Sequence, residues 1–317
     1  MSRTRGVRNH PRVVVIGGAN MDVKCRIAGR TAMASSNPGS VLSAPGGVAR
    51  NIAEGLARLG LAASLIGAVG RDPPGRQLLA ATAVAGVDVR GVLRGPAPTG
   101  TYAATLDARG ELLVGVAAMD VLEQLTPRRL ARRQRLIAAA DLVVADSNLP
   151  AATLDWLLAF AARRGLRLAI DAVSVPKARR LRPLLRTRRP LFALFCNRAE
   201  AAALTGRTTP RAAARRLHDL GVRHVCIGLG RRGVLASSGG VQHRVPTLAG
   251  DVVDVTGAGD AAVAGTLFGL LRGAPLTTAA RYGQAAAALT RAAAQSVSPR
   301  LSARAIARCI RTRRPSP

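Results

Sequence analysis

Short runs of β-branched and aliphatic residues alternate with longer amphipathic stretches along most of the chain. The runs at residues 13–18, 63–67, 142–145, 167–170, 191–195 and 224–229 are too short for helices, and their composition predicts strands. Residues 47–59, 75–85, 150–163, 198–204 and 210–220 carry apolar side chains at helical spacing and predict helices. Strands and helices in alternation imply βαβ units. The expected fold class is therefore α/β, a doubly wound, mainly parallel sheet flanked by helices.

Two segments break this rhythm. Residues 23–44 and 99–119 alternate with period two around glycine-rich turns, and TYAATLDARGELLVGV reads as a hairpin folded at residues 107–110. Extra antiparallel strands inserted into a parallel core tend to cover a site, so both segments are expected to form a small β lid. The reading is one domain over residues 11–312 with lid insertions at 23–44 and 99–119. The tail after Arg311 is expected to fray.

Composition narrows the class. With 317 residues and 48% hydrophobic content, the chain can bury a large core. No apolar run approaches the roughly 18 residues of a membrane span. The longest, residues 261–271, is closed off by Asp260 and Arg272. The basic N-terminus precedes only a short strand-like run, unlike a secretory leader, so a soluble cytoplasmic protein without a membrane partner is expected. Cys25, Cys196, Cys226 and Cys309 are scattered and form no CxxC pair, which argues against a zinc site or a disulfide framework. The formal net charge is +30, and Lys24 and Lys177 are the only lysines. The arginines are spread over polar helix faces and aromatics make up only 2%, which fits a solvated surface better than a specific nucleic-acid interface. A non-catalytic nucleic-acid-binding protein is the rival reading of that charge.

The strongest chemical signal is Asp254-Val255-Thr256-Gly257-Ala258-Gly259-Asp260, followed by a helical run. Gly257, Ala258 and Gly259 present consecutive N–H groups at a positive helix terminus, an anion hole for a phosphoryl group. Asp260, on the first turn, can face the same spot and accept a hydroxyl proton. The same residues also read as a glycine-rich turn with an acidic cap. A P-loop is excluded, because neither lysine lies in a Gly-Lys-Ser/Thr setting. Gly228, Gly230 and Gly233 fit G-x-G-x-x-G, but a strand-like VLASSGG follows where a dinucleotide site needs a helix. They are read as a glycine-rich strand end beside a nucleotide. Asn20 and Asp22 end the first predicted strand, where they can grip paired hydroxyls or simply form a turn. Gly46 and Gly47 open a predicted helix that carries Asn51. Asn197 and Glu200 begin another, where they act either as an N-cap pair or as a water-mediated hold on phosphate-bound Mg²⁺.

In combination, GGANMD (17–22), PGGVARNIA (45–53), GAVGRDPPG (67–75), NRAE (197–200), GLGRRG (228–233) and DVTGAGD (254–260) resemble the ribokinase-like PfkB family of sugar and nucleoside kinases, in its order and spacing. The resemblance covers nearly the whole chain. It implies ATP as donor, Mg²⁺ and a monovalent cation as cofactors, a nucleoside or sugar acceptor, and a homodimer joined through the lid. It also implies roles. Asp260 would be the catalytic base beside the hole of Gly257, Ala258 and Gly259. Asn20, Asp22, Gly46, Gly47 and Asn51 would bind acceptor hydroxyls. Asn197 and Glu200 would serve the phosphate–Mg²⁺ end, with Glu200 acting on the metal through water. Gly228, Gly230 and Gly233 would lie near the nucleotide. Within the family, Ser36-Asn37-Pro38-Gly39, residues 46–51, Ala145-Asp146-Ser147-Asn148, Asp171-Ala172-Val173-Ser174 with Lys177, and Val255 resemble the pseudouridine-kinase branch. That resemblance implies transfer to a 5′-hydroxyl, with Asn37 and Asn148 reading the base. Two departures stand out. Ala172 replaces a typical Pro, and Phe195-Cys196 replace the commoner Lys-Pro, which leaves open whether a basic group, one of the many arginines, serves the phosphate end.

Overall fold

The structure is a computed structural model that describes residues 11–314; the basic N-terminal stretch through residue 10 lies outside the described residues. It begins with β1 (Arg12–Ile16), the hairpin β2 (Asn20–Ile27) and β3 (Gly39–Gly46), then α1 (Val48–Arg58) and β4 (Ala62–Ile66). β5 (Ala68–Gly70) leads into α2 (Pro73–Val84), whose start is set by the Asp72 carboxylate accepting the Gly75 N–H at 2.9 Å, with Pro73 at the first helical position. β6 (Leu93–Gly95) pairs with β5, and a second hairpin joins β7 (Thr101–Leu106) to β8 (Leu112–Ala118). Two short helices, α3 (Pro127–Ala131) and α4 (Gln134–Ala138), precede a regular alternation. It comprises β9 (Leu142–Asp146), α5 (Ala151–Arg164), β10 (Leu168–Asp171), α6 (Val175–Leu185), β11 (Leu191–Asn197), α7 (Arg198–Thr205) and α8 (Pro210–Asp219). The chain ends through β12 (Val222–Gly228), β13 (Val234–Ser238), β14 (Val241–Val245), α9 (Ala258–Leu271), α10 (Leu276–Arg291) and α11 (Ala303–Thr312).

The main sheet has eight strands in the order β14-β13-β12-β11-β10-β9-β1-β4. All pairs from β12 to β4 are parallel, and β13 and β14 add an antiparallel edge. Strands buried on both faces should be continuously apolar. Val13 to Ile16 and Leu142 to Ala145 are at most 2% exposed. One core packs α1, α2, α9, α10 and α11 on one face, through Ile52, Leu78, Leu267, Ala280 and Ile306. The other packs α3 to α8, through Leu130, Ile137, Leu154, Leu181, Leu204 and Leu217. The expected α/β doubly wound sheet is the one observed. Among the described residues, no helix is long and apolar enough to cross a membrane. All four cysteines are free, and all but Cys25 are buried.

The second sheet, β3-β2-β7-β8, joins the two segments that broke the alternating rhythm. Its two hairpins are antiparallel as expected, but they meet along a parallel β2–β7 pair, Met21 opposite Thr101 through Arg26 opposite Leu106. Each hairpin leaves the body on its first strand and returns on its second, so the two outgoing strands run side by side. Val41, Leu42, Leu112, Leu113, Val114 and Val116 on the lid strands are exposed. Of the tail expected to fray after Arg311, residues 315–317 lie outside the described residues, and the part described is tied down. α11 continues to Thr312, and the Arg314 carbonyl accepts the Ala249 N–H at 3.0 Å.

Parallel strands bring their carboxyl ends to one edge, where an open sheet holds its crevice. The segments that follow β1, β9, β10, β11 and β12 there carry or adjoin Asn20, Asp146, Asp171, Asn197 and Gly228.

Candidate active site

β2 begins two residues after Gly18, at Asn20, so Asn20 and Asp22 lie on one face of its first turn of pleat. Asn20 Nδ2 donates to Asp22 Oδ1 at 2.7 Å. Burial raises the Asp22 pKa, while Asn20 and the nearby Lys24 pull it back. Gly46 lies opposite Asn20 in the β2–β3 ladder, and a Cβ on Gly46 would collide with the Asp22 carboxylate. Gly47 has φ +99° at the cap of α1, and a Cβ there would lie 2.6 Å from the Gly18 carbonyl. Gly47 requires glycine on steric grounds, and a side chain at Gly46 would displace the Asp22 carboxylate.

Asn51, on the first turns of α1, is 4% exposed. Its Oδ1 accepts from Arg50 Nη1 at 2.9 Å, which leaves the Nδ2 donor to face Asp260 Oδ2 at 2.8 Å. Arg50 is fixed in turn by the Pro45 carbonyl at 3.1 Å and by an ion pair with Glu54 one helical turn on. A chain of contacts thus runs from a buried ion pair through Asn51 to the Asp260 carboxylate.

Gly257 caps α9 in the left-handed region at φ +74°, and a Cβ would collide with the Ser296 carbonyl. No side chain caps this helix. The Ala258 N–H donates to the Val255 carbonyl at 3.2 Å, while among the described residues no backbone carbonyl engages the Gly259 and Asp260 N–H groups. A Cβ on Gly259 would meet nothing within 4 Å, so this glycine keeps the floor of the cleft open. Burial pushes the Asp260 carboxyl up to about 7, reinforced by Asp146 and Asp22 and opposed by the Asn51 hydrogen bond and Arg50.

A cleft of about 290 Å³ opens over this helix end, and its walls include Asp171, Asn197, Glu200, Gly228, Gly259 and Asp260. Asn197 and Glu200 form a complete capping box on α7, with Asn197 Oδ1 accepting the Glu200 N–H at 2.9 Å and Glu200 Oε2 accepting the Asn197 N–H at 2.8 Å. Cap and cleft wall are therefore the same two residues. Burial raises the pKa of Glu200 and raises that of Asp171 far more, with Asp260, Glu200 and Asp146 adding to the effect on Asp171. Asp171 Oδ1 accepts the N–H of Val173 at 2.8 Å. Val173 sits at φ +65°, a strained conformation for a β-branched residue, in the wall of the cleft. Among the described residues, no lysine or arginine lines the cleft.

Gly230 and Gly233 lie outside the cleft walls. They shape the turn from β12 into β13, where the Leu229 N–H donates to the Gly233 carbonyl at 2.7 Å. As the sequence suggested, a strand follows them, not a helix. Asn37 is also apart. It lies beyond the far end of the β2–β3 ladder, which runs roughly 23 Å from the Asn20–Gly46 pair to the Ile27–Gly39 pair at ~3.3 Å per residue. Its amide closes its own loop, accepting the Ala32 N–H at 2.8 Å and donating to the Ala32 and Ser35 carbonyls at 2.8 and 3.0 Å. Asn148 accepts from Lys177.

Asp146 entered the sequence reading only through the resemblance of residues 145–148, and the structure gives it a bonding role of its own. It is 0% exposed, and its carboxylate accepts the N–H groups of Gly18 at 2.8 Å, Asn148 at 2.9 Å and Ala49 at 3.0 Å. One side chain clamps the turn after β1, the start of α1 and the end of β9. Asp171 was noted only as part of a resemblance. Its place at the carboxyl end of a predicted parallel strand was the signal that could have put it in the site.

Comparison with known proteins bears on this geometry. The pfkB family carbohydrate kinase model matches residues 10–303. The chain is 35% identical over 304 residues to the pseudouridine kinase of Escherichia coli (strain K12), covering 93% of this chain and 95% of that one. A solved carbohydrate kinase from Agrobacterium tumefaciens superposes with a TM-score of 0.81 and 34% identity, covering 96% and 98% of the two chains. The structure of Arabidopsis thaliana ribokinase complexed with ribose and ATP shares the fold, with a TM-score of 0.80 and 21% identity over 95% of this chain and 99% of that one.

Proposed function

Because this chain belongs to the pfkB family of carbohydrate kinases, phosphotransferases that act on an alcohol group, we propose that it transfers the γ-phosphoryl group of ATP to the 5′-hydroxyl of pseudouridine. The observation that carries the chemistry is Asp260, a carboxylate with a pKa of about 7 set on the first turn of an uncapped helix. Near neutral pH such a group can take a proton as readily as it gives one back. Asp260 accepts the hydroxyl proton, and the hydroxyl oxygen bonds to the γ-phosphorus as the bond to the bridging oxygen breaks, releasing ADP. The Gly259 and Asp260 N–H groups face the charge that builds on the transferring group. Asn20 and Asp22 hold neighbouring hydroxyls of the acceptor, and Asn51 aims the base.

Mg²⁺ fits the donor end in one way only. Among the described residues, no group of three or more His, Cys, Asp or Glu side chains stands close enough to hold a metal. Half-buried Asp171 and buried Glu200, whose pKa values are raised, would instead meet a hydrated, phosphate-bound Mg²⁺. The ion would neutralise phosphate charge in a cleft whose walls hold no basic side chain.

The acceptor rests on the 35% identity to a pseudouridine kinase over nearly the full length of both chains. Its test is kcat/KM with ATP for pseudouridine, uridine, adenosine, ribose and a keto-sugar acid. Pseudouridine is expected to lead uridine by at least about tenfold, the scale set by one unpaired polar group in a fitted site. A wild type that prefers ribose, adenosine or the acid overturns the choice of acceptor and leaves the kinase assignment standing.

A further inference from the structure

Lys24 is one of two lysines among 47 basic residues. It stands on β2 two residues beyond Asp22 and four beyond Asn20, so all three side chains leave the same face of the lid strand. Its ammonium pairs with Asp254 Oδ2 and donates to Thr256 Oγ1 at 2.8 Å. Asp254 Oδ1 accepts the Thr256 N–H at 2.8 Å. One cation therefore grips the turn that leads into Gly257, α9 and Asp260. The partners are about 230 residues apart, and their side chains are only 25% and 24% exposed.

Little else holds that turn. Val252, Val253 and Val255 are 61%, 65% and 66% exposed, so no apolar anchor fixes it. Its backbone is tied on one side, where the Val253 and Asp254 N–H groups share the Arg291 carbonyl at 2.7 and 3.2 Å. A compact ammonium suits the remaining gap, since it can sit between a carboxylate and a hydroxyl where a planar guanidinium fork would need more room.

We propose that Lys24 is a positioning residue, a strap from the lid strand that carries the acceptor grip to the turn that carries the anion hole and the base. It rests on the reading of Asn20, Asp22 and Asp260 given above. With the strap in place, acceptor hydroxyl and helix terminus keep one separation. Without it, each element moves on its own, and misplacement of about 1 Å can cost on the order of 10²-fold in rate.

The test compares Lys24→Met, Asp254→Asn and the double variant with wild type. Two readouts are needed. The first is amide hydrogen exchange over residues 254–260 in the absence of any substrate, expected to quicken by at least about tenfold in each single variant as the turn opens. The second is the division between kcat and acceptor KM, where kcat is expected to fall by at least about tenfold with KM changed less than about threefold. The double variant should be no worse than either single one, because both remove the same contact. Unchanged exchange, or losses that multiply in the double variant, would overturn the proposal. If Lys24→Met fails to fold, Asp254→Asn breaks the same contact from the loop side and decides on exchange alone. If exchange quickens while pseudouridine proves not to be the acceptor, the strap stands and the acceptor assignment falls.

Discussion

Asp260→Asn is expected to fold, bind ATP and lose about 10²–10⁴-fold in kcat, the range of general acid–base contributions. The substitution preserves shape and leaves the helix end and the Gly259 N–H intact, so it removes proton acceptance and little else. Stability should move in the opposite direction. The folded carboxyl titrates at about 7 against an ordinary value of 3.8. Between those values the folded state holds a proton that the unfolded state has released, so this group's contribution to stability falls as pH rises through the window. Asparagine cannot ionise, and Asp260→Asn should therefore be at least as stable as wild type at pH 8, with a flatter dependence of stability on pH between about 4 and 7. Turnover within threefold of wild type would remove Asp260 from the role of base. A variant that is inactive but also unfolded at pH 8 would contradict the burial argument.

Asp146→Ala should be the most damaging substitution for stability. It deletes the acceptor of two buried N–H groups, those of Gly18 and Ala49, and of the half-buried N–H of Asn148. Leaving buried donors unsatisfied costs about 1–3 kcal/mol each, less whatever water recovers, so a net loss of about 3 kcal/mol or more is expected in urea unfolding. Asp219→Ala, at a side chain 62% exposed in a loose ion pair, should change stability by no more than about 0.5 kcal/mol. Comparable midpoints for the two variants would mean that Asp146 clamps nothing. The loss should also reach catalysis. The clamp joins the turn before Asn20 to the start of α1, so surviving Asp146→Ala enzyme should hold the acceptor less well.

These two carboxylates show where sequence reasoning succeeds and where it stops. Asp260 was legible because its chemistry is local. Two glycines, a helix start and an acid within a few residues of one another already imply an anion hole with a base. The parallel strands were legible for the same kind of reason, since short runs such as residues 142–145 are apolar on both faces. Asp146 was not legible, because its partners are 97 and 128 residues away and meet only when β1, α1 and β9 pack. The parallel β2–β7 seam and the Lys24 contact are hidden in the same way. Asn37 shows the reverse. The resemblance made it a reader of the base, while its amide is spent on a local loop, bonding Ala32 five residues before it. The family resemblance supplied roles that spacing alone left open, but not the contact by which the Val255 carbonyl engages the Ala258 N–H.

The decisive measurement is where the phosphoryl group goes. Wild-type protein, ATP, Mg²⁺ and pseudouridine should yield ADP and a phosphorylated nucleoside one for one, with phosphorus NMR placing the new ester on the 5′-oxygen. Release of free phosphate at the same rate with and without nucleoside, and no ester on any acceptor tried, would contradict a base that takes its proton from an alcohol held beside the helix end.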